Sequence, residues 1–292
     1  MLGDVCHGDH HGKHPASDEH IVPTSKVSVV ADGFAFTEGP AAAPDGSLYF
    51  TDIPNNSILR LAKNGKVSKF TSKSNHANGL LFDQRGRLLA CQMDGALVRY
   101  DLNSGEVAEV LADSFGGKRF NAPNDLIVDQ TGGIYFTDPL FRAPQPLPQT
   151  VQTVYYRSAD GNVTRVIDGD LPAPNGIALS SDKKTLYVIP SKSEEMLAYP
   201  TTAPGRVGKP RVFCRLKQPQ GQSGTGGDGM VIDQRGNLYI TTQIGVQMFS
   251  PAGKPLGNVA FPQVPANVTF GGPDKKTMFV TARTTLYSIR MP

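Results

Sequence analysis

The chain has 292 residues, with 29 basic and 26 acidic side chains, a formal net charge of +3 and no block of like charge. A nucleic-acid binder would carry a basic stripe, so that class is set aside; no apolar run reaches the roughly 18 residues needed to cross a bilayer. Three cysteines, Cys6, Cys91 and Cys214, are too few and too scattered for a disulfide framework or a metal knuckle and read as ordinary thiols.

In chain order, residues 1–20 come first and differ from the rest. They hold five of the six histidines, His7, His10, His11, His14 and His20. Such a tract could capture transition metals, but it is too polar to pack and reads as a mobile tail. It lacks the charged-then-apolar start of a secretory leader. The compartment stays open: cytoplasmic, or periplasmic or secreted if a leader has been removed. Residues 21–292 are expected to form one domain.

A short frame recurs six times within that domain. An amide or acidic anchor, usually followed by a small residue, opens an apolar stretch. The anchors are Glu38, Asn78, Asn124, Asn175, Asp228 and Asn267, separated by 40, 46, 51, 53 and 39 residues. Eight positions after each comes a turn residue, Gly46, Gly86, Gly132, Lys183, Gly236 or Lys275. An apolar pair follows, such as Leu48-Tyr49, Ile134-Tyr135 or Leu238-Tyr239. The first repeat continues with β-rich runs, 48–53 and 57–62, parted by Pro54-Asn55-Asn56, and then Lys63-Asn64-Gly65 turns into 66–72. With the short segment after the anchor, each repeat holds four strands, and no long segment keeps a helical period. Repeats of this length and content predict an all-β protein, a six-bladed β-propeller with four-stranded antiparallel blades around a central channel. The last repeat ends at Pro292 after three strands, so the run 27–31 ahead of the first anchor is expected to supply the fourth and close the ring.

In a propeller the innermost strands line the channel, so the six anchors should converge at one mouth. A lone Asn or Asp before a strand would be read as a turn cap. Six on one axis point instead to function, because two carboxylates among amide oxygens suit a hard cation such as Ca²⁺ or Mg²⁺. No Gly-x-Ser-x-Gly elbow is present, which argues against a serine hydrolase. His76 either shuttles protons at the mouth or is a polar loop histidine. Gly224 to Gly227 precede a strand rather than a helix, which removes a phosphate loop and suggests a flexible approach to Asp228. Asp125 reads as a structural cap, and the segment 144–149 as either a lid or a stiff surface loop.

At Thr37-Glu38-Gly39-Pro40, Tyr49-Phe50-Thr51-Asp52, Arg119 to Asp125, Tyr135-Phe136-Thr137-Asp138, Pro174-Asn175-Gly176 and Gly227-Asp228-Gly229-Met230, the chain resembles the gluconolactonase, senescence-marker-protein and luciferin-regenerating-enzyme family over residues 25–290. That resemblance implies one divalent cation, Ca²⁺ foremost, with Mg²⁺, Mn²⁺ or Zn²⁺ as alternatives. By motif position its ligands fall on Glu38, Asn175 and Asp228, with Asn124 touching metal or substrate. Asn78 and Asn267 are left without a direct ligand role. The implied activity is lactone hydrolysis by metal-assisted water attack. Asp228 serves as general base or water orienter, and Asn124 and Arg119 bind a small lactone or ester. After the third blade's Tyr-Phe-Thr, sugar-lactonase relatives carry acidic residues, whereas this chain reads Asp138-Pro139-Leu140-Phe141-Arg142-Ala143-Pro144. Two alternatives follow: an aryl-ester or organophosphate hydrolase on the same propeller, or a calcium-binding propeller without turnover.

Overall fold

The segment Leu48–Asp52 is buried at all five positions, and so are Leu88–Gln92, Ile134–Asp138 and Leu238–Thr242. A sheet with one wet face would alternate; strands buried on both faces must lie between two packed sheets. The computed structural model, which describes residues 20–292, contains this arrangement six times over.

The first blade comprises Thr37–Ala42, Leu48–Asp52, Ser57–Leu61 and Val67–Thr71, paired in that order. Blades two to five repeat the meander within residues 77–112, 126–165, 174–215 and 230–259. The sixth takes Asn267–Gly271, Thr277–Ala282 and Thr285–Arg290 from the C-terminus and Ser28–Asp32 from the other end, in the register Ser28↔Ser288 and Asp32↔Thr285. Closure by the 27–31 run is therefore observed, shifted by one residue. It pairs what would otherwise be an open edge strand. Two additions break the symmetry. A two-stranded hairpin, Ser114–Phe115 with Lys118–Arg119, separates blades two and three, and Glu195–Ala203 in blade four pairs both Arg211–Arg215 and Arg206–Val207. The described residues contain no helix, and none therefore that could cross a membrane.

Hydrophobic cores lie between blades, one at each junction. Tyr135 and Val154 of blade three pack on Leu186 and Val188 of blade four. Phe50 and Leu59 of blade one meet Leu286 of blade six, which completes the ring. Of the N-terminal tail, residues 1–19 fall outside the described residues. His20 is already anchored, its Nδ1 lying 3.0 Å from the Leu256 carbonyl of blade five.

The innermost strands touch in a closed circle, and the small residue after the anchor has a reason there. Gly79 N–H donates to the Asn124 carbonyl at 2.7 Å, and Gly176 N–H to the Asp228 carbonyl at 2.8 Å. A Cβ at either glycine would sit 2.7 Å from that same carbonyl oxygen. The narrow axis therefore admits backbone and little else at this level.

Candidate active site

Five anchors, Glu38, Asn78, Asn124, Asn175 and Asp228, form the floor of one cavity of about 360 Å³ at a mouth of the channel. Their clustering follows from the repeat: equivalent positions on rotationally related strands must meet at the axis. The sixth anchor departs from the ring. Asn267 does not line this cavity; its side chain lies within the channel near Glu38 and Asp125, and its Oδ1 accepts the Val268 N–H at 2.8 Å. Asp125 caps its own strand by accepting the Leu126 N–H at 2.9 Å, and it also lines a second cavity at the far end of the channel.

The floor is electrostatically strained. Burial pushes the Glu38 carboxyl well above the usual carboxylate range, and the neighbouring Asp228 adds to the rise. Burial likewise raises Asp228 to about 6, against a hydrogen bond from Asn175 and the charge of Arg283. Asn175 donates from Nδ2 to Asp228 Oδ1 at 2.6 Å, which leaves its own carboxamide oxygen free to face the cavity. Asn78 turns its Nδ2 toward the Met93 sulfur at 3.8 Å. No group of three or more His, Cys, Asp or Glu placed to hold a metal ion occurs among the described residues. The donor set is instead two carboxylates and several carboxamides.

The backbone that carries these groups is held by a second use of the repeat. In blade three, Asp138 accepts the N–H groups of Asn121 and Ala122 at 2.9 and 2.8 Å, clamping the turn that leads to Asn124. Asp52 does the same in blade one for Ala35 and Phe36, just before Glu38. Burial lifts Asp138 to about 7 despite those two bonds. The threonine ahead of the aspartate binds toward the axis: Thr51 Oγ1 donates to the Asn78 carbonyl of the next blade at 3.1 Å. Thr241, at the equivalent position of blade five but followed by Thr242, does so to the Ala266 carbonyl at 2.7 Å.

The walls are apolar: Phe36, Ile53, Pro54, Met93 and Phe141, with Arg142 at the rim. Most come from the turn after the second strand, 15 residues past the anchor for Ile53 and Met93 and 16 for Pro54. Extending the repeat register to those turns would have found them; Phe141 and Arg142 sit one to two residues further on, in the longer loop of blade three. Arg119 is not among the lining residues. Its guanidinium donates to the carbonyls of Phe120, Met93 and Asn121 at 3.0, 3.3 and 3.3 Å, so the expected substrate arginine is committed to the backbone. His76 does not line the cavity either, and its Nδ1 lies 2.8 Å from Asp94 Oδ2. Gly224 to Gly227 form a tied loop rather than a flexible approach. Thr225 Oγ1 donates to Gln218 Oε1 at 2.6 Å and Ser191 Oγ to the Gly227 carbonyl at 2.8 Å. Phe141 and Arg142, not residues 144–149, reach over the site. Cys91 and Cys214 are buried, and burial pushes the Cys214 thiol up to about 12, as expected of inert thiols.

Residues 36–284 match the SMP-30/gluconolactonase/LRE-like region. The chain belongs to that family. A gluconolactonase from Zymomonas mobilis is 28% identical over 301 residues, covering 94% of this chain and 84% of its own length. A solved gluconolactonase from Xanthomonas campestris superposes with a TM-score of 0.82 at 29% identity, over 95% of this chain and 97% of that one. Regucalcin from Agrobacterium tumefaciens, a calcium-binding protein, shares the fold with a TM-score of 0.76 at 22% identity, over 90% of this chain and 93% of that one.

Proposed function

We propose that this protein is a divalent-cation-dependent hydrolase that opens a lactone to its hydroxy acid. The observation that carries the reading is the pair Glu38 and Asp228. These are two carboxylates on the floor of an open cavity, Glu38 buried and Asp228 partly buried, each pushed toward protonation by desolvation. Such a pair is costly unless a cation neutralises it. The donor set fits the group: hard oxygen atoms from two carboxylates and the carboxamides of Asn124 and Asn175 suit Ca²⁺ or Mg²⁺. Glu38, Asn175 and Asp228 would hold the ion, with Asn124 shared between ion and substrate. When bound, it supplies a Lewis acid for the ester carbonyl and lowers the pKa of water. Relatives named as gluconolactonases and lactonases support the lactone as the bond cleaved.

The chain's own residues then have distinct tasks. Asn175 fixes one oxygen of Asp228 through the 2.6 Å bond, so the other is free to accept a proton from an attacking water. Asp228 orients that water more than it deprotonates it, because neutralisation of the carboxylate pair lowers its basicity. The Asn124 carboxamide lies on the same floor and can donate to the oxyanion that forms on the carbonyl. The apolar walls exclude competing water. Residues 21–292 act as one domain in this proposal, with the histidine-rich tail outside the chemistry.

The test is lactone hydrolysis followed by pH-stat on metal-stripped protein, with Ca²⁺, Mg²⁺, Mn²⁺ and Zn²⁺ returned separately. Turnover restored by one ion and lost in Asp228→Ala supports the proposal. Absence of turnover with every ion, alongside tight ion binding, would replace it with a calcium-binding propeller.

A further inference from the structure

On the lactonase reading, we propose that the substrate is a lactone with a flat apolar body carrying a carboxylate, the carboxylate seated on Arg142. Hydrogen-bonding groups are confined to the floor, while the walls of Phe36, Ile53, Pro54, Met93 and Phe141 offer only apolar surface. A polyhydroxylated lactone would place its outer hydroxyls against those walls. Each hydroxyl stripped of water without a partner would lower kcat/KM roughly tenfold.

Phe141 remains 47% exposed although it lines the cavity. A large ring left wet over a buried polar floor gains by being covered with a second apolar face. Arg142 follows it in the chain, and no acceptor among the described residues pairs with its guanidinium. The other nearby cations are engaged. Arg119 holds three carbonyls, and Arg283 stacks on the Phe36 ring at 5.3 Å. Once an ion neutralises Glu38 and Asp228, the floor offers no net charge to an anionic substituent, whereas the rim offers the unpaired Arg142. The charge pattern therefore orients the ligand, with its lactone carbonyl on the floor and its carboxylate at the rim.

The experiment compares γ-phenyl-γ-butyrolactone, its para-carboxylate and glucono-δ-lactone on the calcium-loaded full chain, with Arg142→Gln and Phe141→Ala. The para-carboxylate is expected to exceed the phenyl compound in kcat/KM by roughly threefold to tenfold, an advantage that shrinks with added salt. Arg142→Gln should abolish that ratio, and Phe141→Ala should weaken both aromatic lactones. Using the ratio of two substrates removes any general effect of the variant on folding. Binding of the matching para-carboxyphenyl lactam, which does not open, is measured calorimetrically in parallel. An unchanged ratio and unchanged lactam affinity in Arg142→Gln, or faster turnover of glucono-δ-lactone than of both aryl compounds, overturns the proposal. If no lactone is opened but the lactam binds in an Arg142-dependent manner, the hydrolase reading fails and the ligand class stands.

Discussion

Replacing Asp228 by asparagine should stabilise the metal-stripped protein while abolishing turnover. Burial moves the Asp228 carboxyl from 3.8 to about 6 in the folded state. That displacement corresponds to about 3 kcal/mol of stability forfeited once the group is ionised. A carboxyl raised on folding contributes its stability fully below the unfolded value and loses it as pH rises through the folded value. The stripped wild type should therefore weaken between about pH 4 and pH 7 by about 3 kcal/mol more than the Asn variant, which keeps only the decline set by its remaining raised carboxyls, Glu38 and Asp138 among them. The amide keeps the oxygen that accepts from Asn175 Nδ2 and removes the charge beside Glu38. At pH 8 the stripped variant should melt higher by on the order of 6–12 °C, at roughly 2–4 °C per kcal/mol for a domain of this size. Ca²⁺ should reverse the order at about a thousandfold excess over Kd, since only the wild type gains, by about 4.1 kcal/mol against the variant's lead of about 3. Differential scanning calorimetry at pH 4 and pH 8, with and without Ca²⁺, measures all four states. A variant that melts at or below the stripped wild type at pH 8, or an equal gain at pH 4, would refute the reasoning.

Asp138→Ala removes the acceptor of two buried N–H groups and should cost about 2–4 kcal/mol, while lowering kcat through a misplaced Asn124. Asp138→Asn, whose carboxamide keeps an oxygen for only one of the two N–H groups, should recover part of each loss and not all of it, as read by urea melts and steady-state rates. Gly176→Ala forces a Cβ to 2.7 Å from the Asp228 carbonyl oxygen and is expected to lower the melting temperature by several degrees and weaken ion binding together. Arg119→Gln should destabilise by about 1–2 kcal/mol through three carbonyls left short of a donor. Its KM should stay at the wild-type value, because the side chain does not line the cavity; a raised KM would restore it as a substrate contact.

The fold was legible because a propeller writes its symmetry into one dimension. Each blade buries the same positions on both faces, so anchor, turn and apolar pair return at a nearly fixed interval from Glu38 to Asn267. The missing fourth strand of the last blade was legible for the same reason, and Ser28–Asp32 supplies it. Five floor residues also followed from spacing alone, since equivalent positions on rotated strands have to meet at the axis. Asn267 did not stay in the ring. Its carboxamide lies within the channel near Glu38 and Asp125, a placement made by three blades together and invisible in any one repeat.

The walls belong to tertiary structure. Phe141 and Arg142 lie in a loop without an equivalent in the other repeats, and whether they overhang the site or face water depends on how the whole third blade sits. Arg119 marks the opposite case. A cation next to a site motif looked like a substrate contact, yet the nearby carbonyls of Met93, Phe120 and Asn121 offered it three acceptors, and it bound them. Periodic burial is encoded residue by residue and can be read from the chain, whereas the direction of a long polar side chain is set by the acceptors that folding brings within its reach.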